Sequence, residues 1–547
     1  MVAGIMGATA ATLCKMKNYG GFVMKVFLGI ELGSTRIKAV AIDQDGKPLA
    51  TGGFDWENRF ENGVWTYRLD DVWQGLQASF KELAEDYRTK NKAPLPGLSG
   101  IGVSAMMHGY LVFDGNMKPL TEFRTWRNTI TGVAAAKLTE VFDFNIPLRW
   151  TIAHLYHAVL EEEAHVNEIN VLTTLAGYVH YKLTGEHVVG VGEASGIFPI
   201  DSNTNNYCPE RVEKFHKLVL DHNVSWELTE IMPKVLSAGE NAGYLTEEGA
   251  KLLDPTGTLK PGVPFCPPEG DAGTGMVATN AVAPGTGNVS AGTSVFAMLV
   301  LDKALSKLHV EIDMVSTPSG KPVAMVHCNN CTSDLDAWVN VFGEVMSQMG
   351  VESDKTALYR TLYNAALRGD ADCAGLVSVN YLSGEHMTGF DEGRPLFIRT
   401  PDSNFNIENF MRSLLLSAMA TLKLGMNILT EEESVRVSKL LGHGGLFKTE
   451  LVGQKLMAGA LNTPVAVMES AGEGGAWGIA LLAAYAAIKD ENETLEAFLD
   501  NKIFSNSKIS TIEPDPADVK GFEAYLERYK AALKVEKSAV ENLGIRE

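Results

Sequence analysis

One acidic residue in a glycine turn could act as a catalytic base. Asp271 follows Gly270 and precedes Ala272-Gly273, in a region where proline and glycine cluster. Phosphoryl transfer to an alcohol needs a carboxylate within hydrogen-bond reach of the attacking hydroxyl. Asp271 is a candidate for such a base. It could also cap a helix over the residues that follow, and the two roles do not exclude each other.

Two short turns could bind phosphate. In the first, Glu31 stands at a strand end and is followed by Gly33, Ser34 and Thr35. Backbone amides of such a turn receive phosphate oxygens, and a nearby carboxylate can hold the water shell of Mg²⁺. An ordinary hairpin is the competing interpretation. The pattern returns at Gly292-Thr293-Ser294, about 260 residues later, which favours the phosphate role.

Short apolar runs predict the elements that would carry the first turn. Residues 26–30 and 37–42 form a hairpin around it, Asp45-Gly46 makes the next turn, and a third strand follows. Asp70 and Asp71 are expected to cap a helix whose apolar stripe has helical spacing. The stripe consists of Trp73, Leu76, Phe80, Leu83 and Tyr87.

The second half repeats this organisation. Residues 287–291 and 295–300 flank the second turn as strands, which suggests a duplicated fold. A long helix over 407–429, a glycine segment at 442–445, an apolar helix over 474–488 and an amphipathic tail helix follow. The tail helix is expected around Phe522, Tyr525, Tyr529 and Leu533.

Length and charge limit the partners. A chain of 547 residues exceeds what one core usually organises, so two large domains are expected. Its net charge of −20 disfavours nucleic acids and anionic membranes as partners. The acidity does not exclude ATP, because phosphate sites rely on backbone N–H groups, helix N-termini and Mg²⁺.

The cysteines and the N-terminus indicate a reduced, cytoplasmic setting. Six scattered cysteines do not form a disulfide framework. Cys328 and Cys331 form a lone C-x-x-C, for which a metal or redox role is the lesser interpretation. Residues 1–25 are interpreted as an extension with a misassigned start, since no basic residue precedes the apolar segment 1–14 as in a signal peptide.

From about Phe27 to Ala486 the motifs, taken in order, resemble those of the FGGY carbohydrate kinases. The segment 29–35 is similar to the family's first phosphate motif, in which Asp is usual at the place of Glu31. The segment at 442–445 with Gln454, followed by 473–478, resembles the adenosine motif. The resemblance implies that ATP is bound by Gly33, Ser34, Thr35, Lys38, Gly292, Thr293, Ser294, Gly444 and Gly445.

Several segments resemble the family's sugar site. Met107-His108-Gly109 is similar to a segment that contacts sugar hydroxyls in its xylulose kinases, although His108 could be purely structural. Trp126-Arg127-Asn128 resembles the wall of that site, with Asn128 in place of the usual acid. Glu193 and His386 also replace residues usual in the family, and packing is favoured for Glu193. The family places its general base in a G-x-D turn such as Gly270-Asp271, so the resemblance implies that Asp271 is the catalytic base. It also implies sugar binding by Met107, His108, Gly109, Trp126, Asn128 and Asp271.

The resemblance implies an α/β fold of two actin-like, ribonuclease H-like domains around a central cleft. We place the boundary so that 26–273 is the N-terminal domain and 274–547 the C-terminal one. The implied function is ATP-dependent phosphorylation of a ketopentose, D-xylulose or L-ribulose, with Mg²⁺ near Glu31 and Asp271. The partners would be the sugar and ATP, with a homodimer as the expected assembly. An actin- or chaperone-like ATPase and a non-catalytic sugar-binding regulator remain the alternatives.

Overall fold

The computed structural model describes residues 24–352, 354–468 and 474–544. Nearly all of the predicted extension 1–25, and Glu473 of the adenosine motif, lie outside these residues. The strands are β1 Val26–Leu32, β2 Arg36–Asp43, β3 Pro48–Asp55, β4 Arg59–Glu61, β5 Val64–Thr66, β6 Gly100–Ala105, β7 Leu111–Phe113, β8 Val171–Thr173, β9 Val188–Gly190, β10 Ile200–Asp201, β11 Asn206–Tyr207, β12 Lys234–Leu236, β13 Glu269–Gly270, β14 Thr286–Ala291, β15 Val295–Val300, β16 Ile312–Ser316, β17 Pro322–Cys328, β18 Val377–Val379, β19 Leu396–Ile398, β20 Lys439–His443, β21 Val465–Met468 and β22 Ile509–Ile512.

The α-helices connect and cover these strands. They are α1 Leu69–Asn91, α2 Gly132–Phe142, α3 Thr151–Leu160, α4 Leu175–Thr184, α5 Val191–Ala194, α6 Pro209–Val219, α7 Leu228–Ile231, α8 Glu247–Leu253, α9 Asp271–Ala278, α10 Ser333–Gln348, α11 Lys355–Ala366, α12 Ile407–Asn427, α13 Val452–Leu461, α14 Gly474–Ile488, α15 Leu495–Phe498 and α16 Pro516–Asn542.

Two sheets share one topology. The first sheet has the order β13-β6-β1-β2-β3, in which β13, β6 and β1 are parallel and β2 and β3 continue antiparallel. The second sheet contains the order β21-β20-β14-β15-β17 with the same parallel and antiparallel pairings, extended by β22 and β16 at its edges. The expected two-domain α/β fold with a duplicated core is thereby confirmed.

Helix α1 matches its predicted stripe but not its predicted cap. Leu76, Phe80 and Leu83 are buried, as the helical spacing requires. The N-cap is Arg68, without a side-chain capping bond, and Asp70 and Asp71 lie in the first turn. The expectation that these acids cap the helix is therefore wrong, although carboxylates in the first turn still interact favourably with the helix dipole.

Helix α14 packs directly on the first sheet and on α9. A Cβ atom on Gly29 of β1 would lie 2.0 Å from the carbonyl oxygen of Ala476, and one on Gly478 would lie 2.1 Å from that of Thr274. Only glycine allows backbones to approach this closely. The glycine- and alanine-rich composition of α14 therefore reflects its place in the seam between the two halves.

The other predicted helices of the second half are present. The helix predicted over 407–429 is α12, and a π-helical turn continues it over Ile428–Glu432. This stretch is long and apolar enough to cross a membrane, but 72% of its most apolar window is buried, as in a core helix. In the tail helix α16, Phe522, Tyr525 and Tyr529 are buried.

Candidate active site

The first turn presents two hydroxyl residues at the end of β1. Gly33 N–H donates to the Arg36 carbonyl at 3.0 Å, which closes the turn. From behind, Trp56 Nε1 donates to the Gly33 carbonyl at 2.7 Å and Tyr67 OH donates to the Ser34 carbonyl at 2.6 Å. The side chains of Ser34 and Thr35 are exposed. The turn is thus held by its carbonyls while its outer surface stays free for a ligand.

Glu31 lies at the root of this turn, paired in register with Lys38 of β2. Its Oε2 accepts a hydrogen bond of 3.2 Å from the Ala476 N–H of α14. Burial, and secondly the charge of Asp271, raise the pKa of Glu31 to about 7, against the lowering effect of Lys38. Two carboxylates from β1 and α9 therefore lie close enough to repel each other, and a cation between them would relieve the repulsion.

The second turn is held by the chain that leads into α10. Thr332 donates to the Gly292 carbonyl through its N–H at 3.0 Å and its hydroxyl at 2.8 Å. Cys331 N–H donates to the Thr293 carbonyl at 3.0 Å. As in the first turn, carbonyls are anchored from behind, and the side chain of Thr293 is exposed while that of Ser294 is half-buried.

The C-x-x-C pair belongs to this support. Cys328 ends β17, Cys331 precedes α10, and both side chains are buried. Burial raises the pKa of both thiols, that of Cys331 to about 12. Thiols with such pKa values are protonated at neutral pH, a state that neither attacks disulfides nor binds metals readily.

The predicted adenosine segment follows β20 and touches the second turn. Gly444 has φ +97°, and a Cβ on it would lie 2.5 Å from the Ala291 carbonyl at the end of β14. Gly444 and Gly445 are both exposed. Gln454 differs from the expectation, because it is buried and its Nε2 donates to the carbonyls of Val465 and Ser510 at 2.8 and 2.7 Å. It joins β21 to β22 and is not available to a nucleotide.

Asp271 begins α9, with Gly270 as the N-cap residue. Its Oδ1 accepts a hydrogen bond of 3.1 Å from the Met107 N–H. Asp271 is exposed to solvent, but many protein atoms surround its carboxylate, so burial raises its pKa, while backbone hydrogen bonds and Arg149 lower it. The predicted base and the predicted sugar segment are thus joined directly.

The segment at 107–109 has an unusual backbone. His108 and Gly109 have φ values of +72° and +99°. The His108 ring stacks on Trp150 at 6.2 Å, and its Nδ1 lies 3.4 Å from the Gly196 carbonyl. Because a carbonyl only accepts, Nδ1 carries the proton and Nε2 is left as an acceptor. Burial places the pKa of His108 well below its usual value, so the ring is neutral.

In the second predicted sugar segment, Trp126-Arg127-Asn128, the two residues expected to contact the sugar differ in exposure. Trp126 is 40% exposed, whereas Asn128 is 3% exposed. The amide of Asn128 accepts from Trp65 N–H at 2.8 Å and donates to the carbonyls of Trp65 and Thr125 at 2.8 and 3.0 Å. Asn128 therefore supports the wall from behind, which differs from the direct sugar contact expected for it.

Four residues near the site belong to none of the motifs recognised in the sequence. Arg149 influences the pKa of Asp271, and Asp313 forms an ion pair with Arg149. Glu269 is buried beside Asp271 and accepts from Glu193 N–H at 2.8 Å. His327 is the last residue but one of the apolar strand β17, and a polar residue in that apolar run could have indicated it. Glu193 is fully buried, in agreement with the packing interpretation.

A separate groove of about 970 Å³ lies between α1 and the segments 94–98 and 253–264. None of the candidate-site residues described in this subsection lines it. The candidate site is therefore assigned from its carboxylates and turns, and not from the size of a cavity.

The duplicated sheets with paired turns, and the carboxylate beside the first turn, form the two-domain α/β arrangement expected of a carbohydrate kinase. Residues 26–278 match the N-terminal domain, and residues 287–487 the C-terminal domain, of the FGGY family of carbohydrate kinases. The chain belongs to this family.

Known relatives extend over nearly the whole chain. A xylulose kinase of Haemophilus influenzae is 24% identical over 527 residues, covering 93% of this chain and 99% of the relative. A xylulose kinase of Staphylococcus epidermidis is 22% identical and covers 95% and 99%. The crystal structure of a ligand-bound xylulose kinase from Lactobacillus acidophilus superposes with a TM-score of 0.75 at 16% identity, covering 94% and 99%.

Proposed function

We propose that this carbohydrate kinase transfers the γ-phosphoryl group of ATP to the primary hydroxyl of a ketopentose, D-xylulose or L-ribulose, giving the 5-phosphate. The observation that carries the proposal is the hydrogen bond from Met107 N–H to Asp271, which joins the base to the sugar segment. The names of the full-length relatives support a pentulose as the acceptor.

In this proposal Asp271 accepts the proton of the attacking hydroxyl. The hydroxyl oxygen forms a bond to the γ-phosphorus while the bond from that phosphorus to the bridging oxygen breaks, and ADP leaves with the electron pair. Burial raises the pKa of Asp271, whereas the hydrogen bond from Met107 N–H and the positive charge of Arg149 lower it. These two effects help to keep the carboxylate ionised and therefore able to take the proton. His108 Nε2 can accept a hydrogen bond from a sugar hydroxyl, and Trp126 can pack on the sugar's apolar face.

The two turns would hold the phosphates and the glycine segment the nucleoside. Exposed Ser34 and Thr35 with Gly33 and Lys38 form one side, and 292–294 form the other. Gly444 and Gly445 are exposed next to the second turn, where they would bind the adenosine. Movement of the two halves toward each other would exclude water and limit wasteful hydrolysis of ATP.

Glu31 and Asp271 would hold Mg²⁺. The mutual repulsion of their carboxylates fits a divalent cation, and Mg²⁺ sites commonly combine one or two carboxylates with waters and substrate phosphates. When bound, the ion would neutralise charge on the phosphates of ATP. Glu31 would act on the ion directly or through water, since its side chain is one methylene longer than Asp.

Three further expectations belong to this proposal. They are the domain boundary between 273 and 274, which falls inside α9, the cytoplasmic location, and assembly as a homodimer. Limited proteolysis would examine the first, and sedimentation analysis of the purified chain the last.

A coupled ADP-release assay over a panel of acceptors tests the function. The panel contains D-xylulose, L-ribulose, hexuloses, polyols and glycerol, and we expect the highest kcat/KM for a pentulose. A hexulose or glycerol as the best acceptor would contradict the pentulose while leaving the kinase intact. Hydrolysis of ATP that no sugar stimulates would favour the ATPase alternative.

A further inference from the structure

Arg149 places a positive charge beside the acceptor site. It directly precedes Trp150 at the start of α3, and its carbonyl accepts a hydrogen bond of 3.4 Å from the Gly109 N–H. Its side chain is 25% exposed. The guanidinium contributes to lowering the pKa of both Asp271 and His108. The cation therefore lies near both groups proposed to handle the sugar.

A carboxylate from the other sheet neutralises this cation. Asp313 lies on β16, the edge strand of the second sheet, and its Oδ2 forms an ion pair with Arg149. Its Oδ1 accepts from Asn145 Nδ2 at 2.9 Å, and the same amide donates to the Ile312 carbonyl at 3.1 Å. Both carboxylate oxygens of Asp313 are thus held by residues of the first half of the chain, and its side chain is only 14% exposed.

Two histidines near Arg149 are neutral at neutral pH. The rings of His327 and His386 stack at 5.9 Å. Burial first, and Arg149 second, lower the pKa of His327 to about 4, and burial also lowers that of His386. Neutral imidazoles donate and accept hydrogen bonds as hydroxyl partners do, without adding charge.

We propose that the Arg149–Asp313 pair selects acceptors by charge, so that the site takes a neutral polyol or ketose and rejects a sugar carboxylate. This inference rests on the proposed function and extends it. A carboxylated acceptor would have to displace Asp313 from Arg149 and would also face the negative Asp271. A neutral acceptor can leave the Arg149–Asp313 pair intact, and its hydroxyls can form hydrogen bonds with the neutral imidazoles of His327 and His386.

The experiment converts Asp313 to Asn in the full-length protein, which frees Arg149 while keeping a side chain of the same size. The kcat/KM values are measured for neutral acceptors and for aldonates that match them in chain length. We expect the aldonate-to-neutral ratio to rise about tenfold or more, the scale of a hydrogen bond to a charged group. The double variant Asp313→Asn with Arg149→Gln should lose this gain, because no cation remains to bind the carboxylate.

Asp518→Asn is the matched control. Arg412 and Asp518 form another buried Arg–Asp pair, at 2.6 Å between α12 and α16, and neither belongs to the acceptor site. Loss of this pair should lower stability without changing the acceptor ratio. An equal change of the ratio in the control would show a general effect of stability and overturn the proposal.

Two further results would overturn it. One is an unchanged aldonate-to-neutral ratio in folded Asp313→Asn. The other is tighter binding of an aldonate than of the matched neutral acceptor to the wild-type protein in calorimetry without ATP, a measurement that holds even if the variant does not fold. If no acceptor led to consumption of ATP, the proposed function would be contradicted instead. The comparison of aldonate and neutral acceptor affinities by calorimetry would still test selection by charge.

Discussion

The hairpins β1–β2 and β14–β15 occupy equivalent places in sheets of the same topology, but their turns carry different charges. The sequence Glu31-Leu32-Gly33-Ser34-Thr35 corresponds to Ser290-Ala291-Gly292-Thr293-Ser294, so a carboxylate in the first becomes a hydroxyl in the second. The first turn also lies beside Asp271, whereas the second adjoins the exposed glycines at 444 and 445. The two halves thus carry similar turns that we propose bind phosphate, and only the first has a carboxylate at its root and a second one beside it.

The largest test of this asymmetry is Asp271→Ala. We expect kcat to fall at least about 100-fold, the usual scale for loss of a positioned general base. The affinity for ATP should change little, because Asp271 is not among the residues assigned to the phosphates or the adenosine. Steady-state kinetics and nucleotide titration measure both quantities, and near-normal turnover would remove Asp271 as the base.

The two turns can be compared directly through Glu31→Gln and Ser290→Ala. The first change removes a charge and should lower kcat/KM about tenfold or more, with a higher requirement for Mg²⁺. The second removes a hydroxyl at the corresponding place and should change kcat/KM much less. Titration of activity against Mg²⁺ measures the difference, and equal losses in both variants would mean that the turns are chemically alike.

Glu193→Gln examines the acids buried beneath the first site. Burial raises the pKa of Glu193 well above 4.5, and Glu269 and Asp271 raise it further. Above about pH 4.5 the unfolded chain therefore binds fewer protons than the folded one, so wild-type stability falls as pH rises. The variant lacks this loss and should gain up to about 1.4 kcal/mol per pH unit relative to wild type. Urea unfolding at pH 5 and pH 8 measures the free energy of unfolding of both proteins. If the difference between variant and wild type were the same at both pH values, Glu193 would be ionised in the folded protein and the prediction would be wrong.

The smallest effect is expected behind the second turn. Cys328→Ser and Cys331→Ser should retain activity, since Cys331 holds Thr293 through its backbone N–H and not its thiol. Metal analysis of the wild-type protein should find no stoichiometric zinc. Tightly bound zinc, or inactivity of the folded variants, would show that the thiols behind the second turn bind metal or take part in the reaction.

The sequence predicted those parts of the site that depend on neighbours along the chain. The turns at Gly33 and Gly292 follow from strand–glycine–hydroxyl patterns, and the Asp271 turn follows from its local composition. Arg149 could not be identified this way, because its partner Asp313 is 164 positions away and meets it only where β16 lies against the first half. Asn128 was placed on the sugar wall by its neighbours, but its hydrogen bonds turn its amide toward Trp65.

The backbone contacts of α14 determine how the cleft can tolerate mutation. At Gly29 and Gly478 a single added carbon would enter the space of a carbonyl oxygen at 2.0 and 2.1 Å, so even alanine would force the helix and the sheet apart. The proposed acceptor wall includes Trp126, whose exposed side chain can be replaced without moving the backbone. If the proposed site is right, substitutions in the wall could alter the preferred sugar one residue at a time, whereas at Gly29 and Gly478 of the seam even the smallest side chain would displace backbone.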